Sequence, residues 1–292
     1  MIKFQGTGIA IITPFKDDLS VDYTALSQLV DYNIKNGIDY IVISGTTGES
    51  VTITKDEKKD ITATIIDANK GRVPLVLGIG GNNTAEVINE IQSADLSEID
   101  AILSVSPYYS KPTQEGIYQH FKAISTACPI DIIMYNVPGR TSSNMSTETI
   151  LRLATDFNNI VAVKEAGNNM HQYLKLLRDK SDDFLIISGD DDLVLGVVLA
   201  GGAGVISVIG QALPKQFSEM IRLGLEGKAK EAYALHFKLM NIVSLIFSEN
   251  NPAGIKATLE VLNLSKSNVR LPLVQASKTL KKEIKEALQV LN

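Results

Sequence analysis

Along the chain, short runs rich in β-branched residues alternate with longer stretches in which apolar residues recur every three or four positions. The short runs predict strands at Gly8–Ile12, Tyr40–Ser44, Pro74–Gly78, Ala101–Ser106, Asp131–Asn136, Ile160–Glu165, Phe184–Gly189 and Gly204–Val208. Between them, Tyr23–Asn36, Asp56–Asn69, Ala85–Leu96 and Glu115–Ala127 carry the amphipathic helical period. Strands alternating with helices in this number predict an α/β fold, a (β/α)8 TIM barrel with a C-terminal helical appendage. A doubly wound open sheet has the same periodicity and stands as the alternative. From about Pro214 to Asn292 no further strand is predicted, but KAKEAYALHFKLMNIVSLIF and KTLKKEIKEALQVL repeat with a helical period. The reading therefore divides the chain into a barrel, 1–226, and a C-terminal helical region, 227–292. No linker, low-complexity tract or internal repeat interrupts it.

Composition narrows the partners. The net charge is −5 over 292 residues, and no Lys/Arg cluster overrides it, which argues against nucleic acid as the main partner. No apolar run reaches the length of a membrane span. The first residues, MIKFQGTGIAIITPF, are too broken by Gly and Pro for a signal peptide, so a cytoplasmic protein is expected. A single cysteine, Cys128, excludes an internal disulfide and Cys-based zinc sites, and is read as a reduced, buried thiol. The histidines, His120, His171 and His236, each fall in a helical pattern without ligand spacing, so neither a metal nor a cofactor is expected.

A barrel of this kind carries its chemistry where the strands end and in the loops that follow. Those places read SGTTGES, GIGGNN, SPYYSKP, YNVPGRTSSN, KEAGNN, SGDDD and ISVIG. The opposite rim holds turns such as IKNGID and NKGRVP. Lys164 stands out because it closes the apolar strand IVAVKEA. A buried ammonium loses hydration, and an unpaired one tends toward the neutral amine, which attacks carbonyls to form a Schiff base. Pairing with Glu165 is the plain alternative. Tyr135, one strand away, is placed to relay protons, or is simply a rim tyrosine. Thr46 and Thr47 pass protons or bind a carboxylate, unless GTTG is only a turn. Arg140 has the fork that matches a carboxylate, or is a surface arginine. In SGDDD, Asp191 or Asp192 is expected in the first turn of the next helix rather than on a metal. GIGGNN is not a dinucleotide fingerprint, since Asn83 stands where the last glycine would be.

Together GTTGES, SPYYSKPTQEG, YNVPGRT, VAVKEA, SGDD and GVISV resemble the 4-hydroxy-tetrahydrodipicolinate synthase (dihydrodipicolinate synthase) family, a branch of the Schiff-base aldolases of N-acetylneuraminate lyase type. The resemblance runs from GTGIAIITPF to the C-terminal helices. It implies pyruvate and L-aspartate 4-semialdehyde as substrates and no cofactor. It implies Lys164 as the Schiff-base lysine and Tyr135 as its proton donor and acceptor. Thr46 and Tyr109 would complete a proton relay, with Tyr109 reaching across from a neighbouring subunit of a homotetramer, a dimer of dimers. Thr47 would bind the pyruvate carboxylate, with Ile206 and Gly189 lining the pocket, and Arg140 would receive the semialdehyde. KEAGNN departs from the family's usual run after strand six.

A related pyruvate-dependent Schiff-base aldolase acting on another 2-oxo acid is the nearest rival, and Arg140 argues against it. A non-catalytic binder of 2-oxo acids would not be expected to retain Lys164 and Tyr135. A phosphate-binding barrel lacks its Gly-rich cradle after strand eight. The positions matching the family's allosteric lysine site are Ser50, Lys55, Lys58, Asn82, Glu86 and Tyr108. Thr54 and Glu57 form a capping-box pattern that sets Lys55 and Lys58 in the first turns of a helix.

Overall fold

In the computed structural model, which describes residues 3–291, eight parallel strands close into a barrel in strict chain order. They are β1 (Gly6–Ala10), β2 (Tyr40–Ile43), β3 (Leu75–Gly78), β4 (Ala101–Val105), β5 (Asp131–Asn136), β6 (Ile160–Glu165), β7 (Leu185–Ser188) and β8 (Gly204–Ser207). The helices between them are α1 (Tyr23–Lys35), α2 (Lys55–Asn69), α3 (Thr84–Ser93), α4 (Gln114–Ala127), a single turn α5 (Pro138–Thr141), α6 (Thr147–Asp156), α7 (Met170–Asp179), α8 (Val194–Leu199) and α9 (Pro214–Leu225). Beyond the barrel lie α10 (Ala229–Ser248), α11 (Ala253–Val261) and α12 (Lys278–Leu291). Pairing of β8 back onto β1, Gly204 opposite Gly6 through Ser207 opposite Ile9, closes the ring and excludes the open sheet.

Alternation along each strand separates two cores. Ala10, Val42, Ile133, Tyr135, Ala162, Ile187 and Ile206 fill the barrel interior. Ile9, Ile41, Ile132, Met134, Val163 and Ile186 face the helices. On β6 the same period sends Lys164 inward with Ala162 and Glu165 outward with Val163. Tyr40 fills the bottom of the interior and donates from its hydroxyl to the Val205 carbonyl at 3.0 Å. Its ring needs Gly8 opposite, because a Cβ there would lie 2.2 Å from the ring.

Most strand ends fall within a residue or so of expectation, and β1 does not. It covers Gly6–Ala10 instead of Gly8–Ile12. Gly6 takes φ +90° and joins the ring through Gly204, so the glycines that weaken the pattern are inside the strand. Ile11 and Ile12 are buried past the strand's end: the Ile11 amide still donates to the Val42 carbonyl at 3.2 Å, and the Ile12 amide donates to the Gln211 side chain at 2.9 Å. The capping box at α2 is present, with Thr54 and Glu57 each bonding the other's backbone N–H. α10 packs on α8 and α9, and α11 and α12 pack on α10.

Candidate active site

At the C-terminal end of β6, Lys164 lies in register between Tyr135 of β5 and Ile187 of β7. It is 7% exposed. Its Nζ sits 4.4 Å from the centre of the Tyr135 ring. Among the described residues no carboxylate oxygen lies within 4.0 Å of that nitrogen. Pairing with Glu165 is ruled out by strand geometry: Glu165 points the other way and accepts from Asn136 Nδ2 at 2.8 Å and Gln172 Nε2 at 2.9 Å. Gly189 borders the lysine stem, where a Cβ would lie 3.0 Å from Lys164 Cε and 2.5 Å from Ala166 Cβ. Ile206, wholly buried on β8, belongs to the same interior cluster as Tyr135.

After β2 the chain turns through a 3-10 turn, Thr46–Gly48. Thr46 is exposed and Thr47 is buried. The turn ends at Glu49, in the left-handed region at φ 56°, whose carboxylate is buried against Lys256 Nζ of α11 at 2.5 Å and also accepts the Arg270 amide at 2.9 Å. Thr47 Oγ1 accepts from Asn251 Nδ2 at 2.9 Å. The main-chain oxygen of Asn251 in turn receives Arg140 Nη2 at 3.5 Å. Arg140 is exposed, and the rest of its fork makes no other hydrogen bond among the described residues. One residue of the appendage thus bridges Thr47 and Arg140.

Asp191 corrects an expectation. α8 begins only at Val194 with no acidic residue in its first turn, so neither Asp191 nor Asp192 starts it. Asp191 is buried and accepts the amides of Val208 and Ile209 at 3.0 and 2.9 Å, capping the turn after β8 instead. Burial pushes its carboxyl up to about 6, against the pull of those donors and of Lys164. Burial likewise raises Glu165 to about 7, the Asn136 and Gln172 donors offsetting only part.

Tyr109 stays outside the Lys164 group: on the loop after β4 it is 90% exposed, at φ 69°. Around the same side, Lys58 of α2 pairs with Glu90 of α3 at 3.1 Å, and Asn82 Nδ2 donates to the Tyr108 carbonyl at 3.3 Å. Lys55 and Glu86 are exposed and Ser50 half-buried. His120 is buried against Thr84 Oγ1 at 2.9 Å, and burial lowers it to about 4. Cys128 is a buried thiol donating to the Ile130 carbonyl at 3.3 Å. Among the described residues no three His, Cys, Asp or Glu side chains gather as metal ligands, and no helix is long and apolar enough to cross a membrane.

Asn251, Glu49 and Lys256 escape a reading of the sequence. Glu49 stands inside GTTGES, but its partner is 207 residues away. The one local signal is Lys256 itself, the single cation in the mostly apolar AGIKATLEV.

A profile of the Dihydrodipicolinate synthetase family matches residues 3–291. The 4-hydroxy-tetrahydrodipicolinate synthase of Flavobacterium psychrophilum is 57% identical over 280 residues, 96% of this chain and 96% of its own. That of Parabacteroides distasonis is 47% identical over 291 residues, 100% of this chain and 98% of its own. The crystal structure of dihydrodipicolinate synthase from Aquifex aeolicus superposes with a TM-score of 0.95 at 38% identity, covering 99% of this chain and 98% of that one.

Proposed function

The chain belongs to the dihydrodipicolinate synthetase family, and from that premise we infer that it is a 4-hydroxy-tetrahydrodipicolinate synthase. It condenses pyruvate with L-aspartate 4-semialdehyde through a lysine Schiff base, a lyase reaction in the diaminopimelate route to lysine. The observation that carries this reading is Lys164, buried at a barrel strand end with its Nζ over Tyr135 and, among the described residues, no carboxylate partner.

The Lys164 amine adds to the ketone carbon of pyruvate, and water leaves to give the iminium. Tyr135 supplies and removes the protons of that step, with Thr46 and the partner's Tyr109 continuing the relay to solvent. Thr47 holds the pyruvate carboxylate, while Ile206 and Gly189 shape the floor. The iminium draws electrons from the adjacent methyl, which loses a proton and becomes the enamine nucleophile. Arg140, its fork open at the mouth, takes the carboxylate of the semialdehyde. The enamine carbon attacks the aldehyde. The amino group of that substrate then displaces Lys164, closing the ring and freeing the lysine.

Exposure of Tyr109 supports an assembly in which a second copy covers it, and a homotetramer built from tight dimers is the reading adopted. The cytoplasm is where we place it, consistent with a single buried thiol. The test is covalent capture. With pyruvate and borohydride, Lys164 should carry a reduced adduct of pyruvate mass. An adduct on another residue, or none, would defeat the mechanism.

A further inference from the structure

The Thr47 turn is held in place by contacts that leave the Thr47 side chain out. Thr13 Oγ1 donates to the Gly48 carbonyl at 2.7 Å, Gly48 N–H closes onto the Gly45 carbonyl at 3.1 Å, and Glu49 is clamped by Lys256 and the Arg270 amide. None of these contacts touches the Thr47 hydroxyl. Its side-chain partner is Asn251 Nδ2, and both residues are buried, 2% and 5% exposed. A hydroxyl has one proton to give. Here an amide N–H already points at the oxygen, so the oxygen accepts and the hydroxyl hydrogen must aim elsewhere. Among the described residues it has no acceptor. A buried donor without a partner is costly, and the cost is relieved when an anion arrives in front of it.

We propose that Asn251 is a positioning residue for pyruvate: by donating to Thr47 Oγ1 it turns the Thr47 hydroxyl into a one-way donor aimed at the substrate carboxylate. The proposal rests on the reading of Thr47 as the receptor of that carboxylate. It also assigns a catalytic purpose to the loop between α10 and α11, which otherwise belongs to the helices outside the barrel. Arg140 rests on the main-chain oxygen of Asn251, not on its side chain, so side-chain variants at 251 separate the two substrates.

In Asn251→Ala the Thr47 hydroxyl is free to rotate. In Asn251→Asp the bond reverses, because Thr47 now donates to the new carboxylate, and a negative charge stands beside that of pyruvate. The experiment follows borohydride trapping at Lys164 as pyruvate is varied, in the wild type, Asn251→Ala, Asn251→Asp, Thr47→Val and the Thr47→Val/Asn251→Ala double variant. Half-saturation should rise roughly 10-fold for Asn251→Ala and about 100-fold for Asn251→Asp, a tenfold change being about 1.4 kcal/mol. The KM for the semialdehyde should move less than about twofold in Asn251→Ala. The double variant should be no worse than Thr47→Val alone, since the amide acts through the hydroxyl. Asn251→Asp, isosteric with the native side chain, carries the test if the alanine variant does not fold. Unchanged half-saturation, or losses that multiply in the double variant, would overturn the proposal. Failure of the wild type to trap pyruvate would overturn the Schiff-base reading, and this inference with it.

Discussion

Gly189 shows how little room surrounds the proposed nucleophile. An alanine there would press its Cβ to 2.5 Å from Ala166 and 3.0 Å from Lys164 Cε. Ala166 is tied by its amide to the Asn136 carbonyl at 2.8 Å and cannot retreat, so the strain stays there and the lysine stem is pushed aside. Gly189→Ala should lower pyruvate trapping at Lys164 at least about tenfold while costing roughly 1–3 kcal/mol of stability, as overpacking does. Trapping at the wild-type rate would show that the pocket wall yields. At this scale the sequence was informative for one physical reason: Lys164 is a charge closing an apolar strand. The sequence reading left pairing with Glu165 open, and strand alternation in the fold, which turns Glu165 to Asn136 and Gln172, closed it. Asn251 has no comparable signal. In SENNPAG it reads as a turn residue, and its partner Thr47 is 204 residues away. Asp191 looked like a helix-start carboxylate because SGDDD precedes an apolar run; its amide partners lie on the β8 loop, which local sequence does not contain.

Among the elements, strands were readable wherever apolar residues are bounded by polar turns, as at β5 and β6, whose ends match the pattern. β1 slipped because GTGIAII does not say which of its residues keep the ladder; that depends on pairing with Gly204. β6 also has a pH signature. Burial raises Glu165 to about 7 from its ordinary 4.5. Between those values the folded state holds a proton that the unfolded state has released, so this group's contribution is fully present below 4.5 and is lost as pH rises through 7. Glu165→Gln removes that loss. Urea unfolding at pH 5 and pH 8 should show the variant gaining on the wild type by up to about 3 kcal/mol at the higher pH. Asp191, raised like Glu165, and His120, lowered, titrate equally in both proteins and cancel in the difference. Parallel stability profiles would mean that Glu165 is not held protonated by its surroundings.

For the whole molecule, the rim formed by α2, α3 and the loop after β4 sets the expected response to the pathway end product. Lys58 is partly neutralised by Glu90, but Lys55 is exposed without a carboxylate partner within 4.0 Å among the described residues. An effector bearing its own side-chain ammonium about 5 Å away would be repelled by roughly 1–3 kcal/mol. Free L-lysine should therefore inhibit weakly or not at all. Titration into a steady-state assay decides it, and half-inhibition below about 1 mM would show that the cations leave the site open. The buried tie between Glu49 and Lys256 has a consequence of another kind, in the order of synthesis. A ribosome delivers the GTTGE turn early and its clamp 207 residues later. The barrel strands are complete by Ser207, yet the turn has no Lys256 and no Asn251 until α11 has emerged. A nascent chain stopped after β8 would hold every strand of the barrel and Lys164 itself, with the Thr46–Gly48 turn still unfastened. If Thr47 seats pyruvate as proposed, full affinity for it arrives only with the last quarter of translation, when the residues that fasten the turn have been made.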